Sequence, residues 1–167
     1  GEEHLDAERG VKSVAAERDL TRWIAKLAVR NDRKAARAVQ EMVGLGTRGL
    51  ALLLVLSHTC DRPVVLRWVM DGLGHFSSPA AAAAIRRGLS SPHMTVRLHA
   101  LGAADRLGTP VLIRAVRPLM RDVSGGIRIN ALALLTRRRV RGLGAILAKA
   151  RRDPKAYVRA MADKALR

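Results

Sequence analysis

Few residues in this 167-residue chain stand at spacings that support covalent or metal chemistry. His58, Cys60 and Asp61 are close in sequence and His75 follows them, but residues two apart on a helix do not share a face. The sequence contains neither the second cysteine nor the His-Glu-x-x-His pattern that would support a zinc site. It also lacks a nucleophile-elbow motif and a glycine-rich phosphate loop of the Walker type. We therefore expect no catalytic residues, no metal and no cofactor, and a protein that is not an enzyme.

Basic side chains dominate the polar residues of the chain. Lys and Arg total 31 against 14 Asp and Glu, which gives a formal net charge of +17. Residues 1–83 carry 12 basic and 10 acidic side chains, whereas residues 84–167 carry 19 and 4. Such a charge difference between halves indicates an anionic partner, which can be nucleic acid, an acidic protein surface or acidic lipid headgroups.

The composition predicts an all-helical domain. Apolar residues make up 49% of the chain and aromatic residues only 2%, and Ala, Leu, Val, Ile and Met dominate a set that favours helices over a β-sandwich. The single cysteine, Cys60, excludes an internal disulfide framework, so we expect a cytoplasmic protein. The apolar run 49–56 is far shorter than the ~20 residues that span a bilayer. Acidic residues near the start of the chain argue against a signal peptide.

One residue pattern recurs every 30 to 31 residues. Each recurrence has an arginine after an apolar residue, and an Asn, Asp or Ser stands six positions before that arginine. Asn, Asp and Ser cap helix N-termini because their side-chain oxygens accept hydrogen bonds from free backbone N–H groups. The period therefore predicts one helix beginning at each of these residues. The predicted caps are Asn31, Asp61, Ser91, Asp122 and Asp153, and the arginines are Arg37, Arg67, Arg97, Arg128 and Arg159.

A second helix is predicted within each repeat, since Ser78-Pro79 and Thr109-Pro110 are typical helix starts. Upstream, Asp19 or Thr21 is predicted to cap a helix that runs to Arg30. A pair of amphipathic helices cannot bury its apolar face alone, but stacked pairs share a continuous core. We predict an all-α, right-handed α-solenoid of about five helical hairpins, a single domain with capping helices in 1–30 and the repeat array in 31–167. The second helices are expected at 47–57, 80–89, 111–121 and 140–152.

The run from Ser91 to Leu101, with its Val96-Arg97 pair followed by Ala100, resembles the HEAT-like repeats of the phycobilisome-lyase type. Those repeats carry an Asp, a Val-Arg pair and an Ala-rich stretch at a period near thirty, and 122–132 and 153–162 are similar. The resemblance, which covers 31–167, implies a binding scaffold whose second helices line a concave surface. It also implies a structural ladder in which arginines pair with aspartates of their own or a neighbouring repeat. The predicted ladder comprises Arg37, Arg67, Arg97, Arg128 and Arg159 with Asp61, Asp122 and Asp153.

The basic residues outside this ladder form the predicted partner-binding set. Arg114, Arg117 and Arg121 fall on one helix face, and Arg87, Arg117 and Lys149 recur at similar heights on successive second helices. Contacts to a phosphate backbone need no base-edge geometry, so a row of arginines on the concave face suits a polyanion. The set is Arg87, Arg114, Arg117, Arg121, Arg137, Arg138, Arg139, Arg141, Lys149, Arg151, Arg152 and Lys155.

Several interpretations of this basic set remain open. The main one is a scaffold for protein–protein interactions with an acidic partner, and the alternative is sequence-nonspecific binding of duplex nucleic acid. A solvated face that only maintains solubility is a third. Single-strand binding is disfavoured because it uses aromatic stacking platforms. Some HEAT-like proteins are alkylpurine DNA glycosylases, and this resemblance draws attention to Trp23, Trp68 and Asp71. The ends of a solenoid also allow a homo-oligomer.

Overall fold

Helices form all the regular structure in the computed structural model, which describes residues 16–167. Helix α1 occupies residues 16–27, and nine further α-helices and one 3₁₀ helix follow it in this part of the chain. No membrane-crossing helix is found among these residues, since none is both long and apolar enough. The bounds are α2 Asp32–Gly44, α3 Thr47–Thr59, α4 Pro63–Leu73, α5 Pro79–Gly88, α6 Met94–Leu107, α7 Pro110–Val116, the 3₁₀ helix Arg117–Arg121, α8 Gly125–Arg137, α9 Leu143–Ala150 and α10 Ala156–Ala165.

The helices stack as hairpins in two layers. The first helices of the hairpins, α2, α4, α6 and α8, each pack against the next one in the series, and α10 packs against α8 in the same way. The second helices α3, α5 and α7 do the same, and α1 lies beside α3. A continuous apolar core runs between the layers from Trp23 to Leu135, and a smaller cluster joins α8, α9 and α10. The predicted all-α solenoid is therefore confirmed.

The repeated Asp and Ser residues work differently from the predicted N-caps. Only Asn31 caps its helix as predicted, by accepting a hydrogen bond from the Lys34 N–H at 3.0 Å. Asp122 and Asp153 instead accept from the N–H two residues ahead, at Ser124 and Lys155, and these two residues are the N-caps. This turn delays the helix start, because an aspartate that bonds its own backbone two residues on forms a turn of its own. Ser91 likewise accepts a hydrogen bond from the His93 N–H through its hydroxyl. At Asp61 the N-cap of α4 is the next residue, Arg62, and its side chain makes no capping hydrogen bond.

Three further helix bounds differ from those predicted. Helix α1 is already helical at residue 16 and ends at 27, so neither Asp19 nor Thr21 caps it. The helix predicted at 111–121 changes to 3₁₀ geometry at Arg117, because Pro118 has no N–H to donate to the preceding turn. Helix α9 begins at Leu143 and not at 140, because the turn before it contains Arg139 and Gly142, both with positive φ. The capping helices predicted before residue 16 lie outside the described residues.

Candidate anion-binding surface

The repeated arginines of the last three repeats, Arg97, Arg128 and Arg159, are buried or half-buried. Arg97 binds Asp122 through two parallel hydrogen bonds, Nε to Oδ2 at 2.8 Å and Nη2 to Oδ1 at 2.9 Å. Its third nitrogen, Nη1, donates to the Ser91 carbonyl at 2.9 Å. One guanidinium thus joins the turn of its own hairpin to the turn of the next hairpin.

Arg128 repeats this arrangement one hairpin later. It binds Asp153 at 2.7 and 2.9 Å, and its Nη1 donates to the Asp122 carbonyl at 2.8 Å. The hydrogen bond from Arg128 lowers the pKa of Asp153 below its usual value, although burial opposes this. Burial alone would raise the pKa of Asp122, but the hydrogen bonds from Arg97 and Ser124 outweigh it and the pKa is lowered. Both carboxylates are therefore stabilised as anions inside the fold.

The other three arginines of the repeat do not pair with an aspartate of the next hairpin. In the hairpin after Arg67, the position of the repeated aspartate is occupied by Ser91. Arg67 instead donates from Nη2 to Asp32 Oδ1 of the preceding hairpin at 2.9 Å, and its guanidinium lies over the Trp68 ring. Within residues 16–167, neither Arg37 nor Asp61 takes part in an ion pair. Arg159 binds the Asp153 carbonyl through Nη1 at 2.7 Å, and no carboxylate of the described chain pairs with it.

All four carboxylates of residues 84–167 are already paired with arginine. Asp122 and Asp153 lie in the ladder, Asp105 holds both Arg137 and Arg138, and Asp163 binds Arg151 at 2.9 Å. These pairs use five of the 19 basic side chains in this half. The remaining fourteen have no carboxylate partner within residues 16–167, so most of the positive charge of this half is uncompensated.

All twelve predicted partner-binding residues are exposed, but they lie in separate places. We define a turn group at the α8–α9 turn as Arg117, Arg137, Arg138, Arg139 and Arg141; Arg117 belongs to it because it donates to the Arg141 carbonyl. A junction group at the opposite end of α8 comprises Arg121, Lys149, Arg151, Arg152 and Lys155.

The two groups lie toward opposite ends of α8. Lys155 lies beside Gly125, the first residue of α8, where an added Cβ would stand 3.0 Å from Lys155 Cγ and would collide with the Tyr157 hydroxyl. The turn group lies around Arg137, the last residue of α8, and the 13 residues of this helix rise by about 20 Å. Arg117 of the turn group and Arg121 of the junction group are joined by one 3₁₀ helix of five residues. Arg87 and Arg114 belong to neither group and lie on α5 and α7. The basic residues thus lie on several elements, from α5 to the turn before α10.

A groove between α5 and α7 was not predicted from the sequence. Its volume is about 960 Å³, and its walls are mainly small or aliphatic side chains such as Pro79, Ala82, Ala83 and Val111. Arg86 and Arg87 also line it, and no carboxylate does. Arg87 is held toward α3 by a 3.1 Å contact to His58 Nε2. The feature of the sequence that could have indicated this groove is the run of alanines after Pro79, because alanines give a helix face without bulky side chains.

The other residues considered for chemistry have structural partners. Trp23 and Trp68 are buried in the core, so neither offers the exposed ring that a lesion-binding glycosylase site would use. Asp71 binds His99 at 3.0 Å, and the His99 ring packs edge-on against Trp68. No group of three potential metal ligands occurs among residues 16–167.

A family model described as HEAT repeats matches residues 49–136, more than half of the chain. The chain belongs to the HEAT repeat family. The match begins in α3 and ends in α8, and so includes the hairpins that form the groove and the first full step of the ladder. No curated protein matches the sequence.

Solved structures support the same architecture for nearly the whole HEAT repeat chain. One is the structure of the complex of CpcE and CpcF of phycocyanin lyase from Nostoc sp. PCC7120, which matches with a TM-score of 0.72. The match covers 92% of this chain and 99% of that chain at 19% sequence identity. At this identity the likeness extends to the fold alone.

Proposed function

We propose that this protein is a non-enzymatic HEAT-repeat scaffold that binds an acidic protein partner through its later hairpins. The observation that carries the proposal is the uncompensated charge of residues 84–167, where all four carboxylates are already bound to arginines. Exposed charges of one sign attract an oppositely charged partner and raise its association rate. A domain that needed charge only for solubility would gain more from a mixture of both signs.

The distribution of the charge favours a folded acidic protein over a nucleic-acid duplex. The turn group and the junction group lie toward opposite ends of α8 and are linked by the short 3₁₀ helix from Arg117 to Arg121, with the groove as a separate feature, so they suit several contacts on a broad partner. Tyr157 is the single aromatic residue of 84–167, which leaves few platforms for base stacking. One structural neighbour of this chain comes from the structure of a complex of two proteins.

Duplex nucleic acid remains the second candidate, because one observation favours it. Seven of the twelve predicted residues make no side-chain hydrogen bond or ion pair within residues 16–167, and arginines and lysines of this kind bind phosphates without base-specific geometry. These seven are Arg114, Arg121, Arg139, Arg141, Lys149, Arg152 and Lys155.

Fluorescence anisotropy with two labelled probes, poly-L-glutamate and a duplex of about 20 base pairs, separates these candidates. We expect the wild-type protein to bind poly-L-glutamate more tightly than the duplex at ~50 mM salt, where phosphate contacts are strong. The variant R114E/R121E/R152E should lose this binding and keep its helical circular dichroism. R18E/R33E/K34E is the matched control, because it makes the same charge change at exposed positions of the first half.

Two results would overturn the protein-partner proposal. Tighter binding of the duplex, with log K falling by about 0.9 per neutralised phosphate as log salt rises, would assign the surface to nucleic acid. Equal loss of binding in the control variant would show that net charge, and not the later hairpins, is responsible.

A further inference from the structure

We propose that the α5–α7 groove binds one amphipathic helix of the acidic protein partner. This inference rests on the proposed function and names the contact that gives the scaffold its specificity. The groove combines apolar walls with arginines, and this combination matches a helix that has an aliphatic stripe and acidic flanks.

The shape of the groove suits a helix because its α5 wall has little bulk. Pro79, Ala82 and Ala83 recur along one face of α5 and expose mainly backbone and methyl groups to the groove. Across from them Val111 is 48% exposed, which is unusual for a valine on a packed helix. The volume of about 960 Å³ accommodates several aliphatic side chains, and helix-in-groove binding uses such anchors at i, i+3 or i+4 and i+7.

The charge around the groove selects an acidic occupant. Arg86 and Arg87 line it near the last turn of α5, and Arg114 is exposed one turn beyond Val111 on α7. With no carboxylate in the lining, an occupant with basic flanks would be repelled. A nucleic-acid backbone would gain nothing from the apolar walls, since phosphate contacts need donors and positive charge.

The test uses a synthetic, fluorescein-labelled peptide of about 16 residues, long enough to form a helix when bound. The peptide has Leu at helical spacing and Glu at most other positions, and a scrambled peptide of the same composition serves as its control. We expect the protein to bind the amphipathic peptide at least about 10-fold more tightly than the scrambled one, a difference of about 1.4 kcal/mol.

Variants then locate the peptide on the protein. A83W fills the groove without changing charge, and V111D places an acidic group on the opposite wall; each should weaken binding at least about 10-fold. L98W adds the same kind of bulk at an exposed position of α6, outside the groove, and should leave binding unchanged. Circular dichroism establishes that each variant is folded, and V111D keeps the test valid where A83W disturbs α5.

The outcomes separate this inference from the proposed function. Equal binding of the amphipathic and scrambled peptides, or unchanged binding in both A83W and V111D, would overturn the groove as the docking site. The proposed function would still stand in that case if poly-L-glutamate bound and R114E/R121E/R152E released it. If the wild-type protein did not bind poly-L-glutamate, the proposed function itself would be overturned.

Discussion

The Arg128–Asp153 pair offers the sharpest quantitative test of the fold. Arg128 is only 8% exposed and makes two hydrogen bonds to Asp153 and one to the Asp122 carbonyl. Replacing Asp153 with Asn removes the charge but keeps an oxygen that can accept from the Lys155 N–H. The guanidinium is then left nearly buried without its counter-charge. Removing one partner of a buried pair costs about 3–5 kcal/mol, and we expect about 3 here because a small part of the arginine still reaches solvent.

Thermal and urea unfolding of D153N, R128M and the double variant measure this effect. A loss of about 3 kcal/mol corresponds to a decrease in Tm of about 6–12 °C for a domain of this size. The double variant should lose less than the sum of the single variants, with a coupling energy of about 1–3 kcal/mol.

Arg159 provides the matched control for this experiment. It holds the equivalent position in the last hairpin but bonds only to the Asp153 carbonyl, so R159M should cost about 1 kcal/mol. Equal losses for R128M and R159M, or additive single variants in the cycle, would refute the idea that bidentate pairing joins successive hairpins.

Three further predictions concern separate parts of the chain. R139G should raise the free energy of unfolding by about 1 kcal/mol, because Arg139 has a φ of 48° that favours glycine; R139A should bring no such gain in Tm. The pKa values of Asp122 and Asp153 are lowered in the fold, so their stabilisation is complete above the unfolded value of about 3.9 and is lost as pH falls below it through the folded values. The stability difference between wild type and D122N/D153N in urea titrations should therefore shrink below about pH 4. N31A should cost about 1 kcal/mol in Tm-derived stability, since Asn31 caps α2, whereas N31D should keep most of it.

The sequence predicts the repeat well because the repeat is a matter of local residue types. Arg97 and Arg128 stand at a fixed distance from the next aspartate, and this spacing is visible without coordinates. The first residue of each helix cannot be predicted in the same way. Asp122 and Asp153 each use one carboxylate both to form a turn and to bind an arginine of the previous hairpin. A rule that considers one helix at a time assigns that oxygen to the cap.

The candidate site was harder to predict, since it depends on which charges are neutralised. Asp105 binds Arg137 and Arg138 across more than 30 residues, and no pattern in the sequence singles out this pairing. The groove was not predicted for a different reason. It exists because Ala82 and Ala83 have small side chains that leave space beside α5. Alanines on a helix predict close packing, and only the position of α7 shows that this face is left open.

The last prediction concerns the difference between the arginines that stabilise the fold and the exposed arginines that are proposed to bind a partner. Arg97 and Arg128 of the ladder are largely buried and bound to aspartates, whereas Arg114, Arg121 and Arg152 have no partner in residues 16–167 and are exposed. Surface substitutions of this kind change stability by about 0.5 kcal/mol or less. Reversing three charges also lowers the formal net charge from +17 and with it the self-repulsion that disfavours a compact state.

R114E/R121E/R152E should therefore keep or slightly increase its Tm at low salt while it loses binding to poly-L-glutamate. D153N should do the reverse, with a lower Tm and unchanged binding at temperatures where it is folded. Calorimetry and anisotropy on the same samples measure both properties. A fall in the stability of the triple variant by about 2 kcal/mol or more, the range of a core substitution, would contradict this division and make these arginines part of the framework.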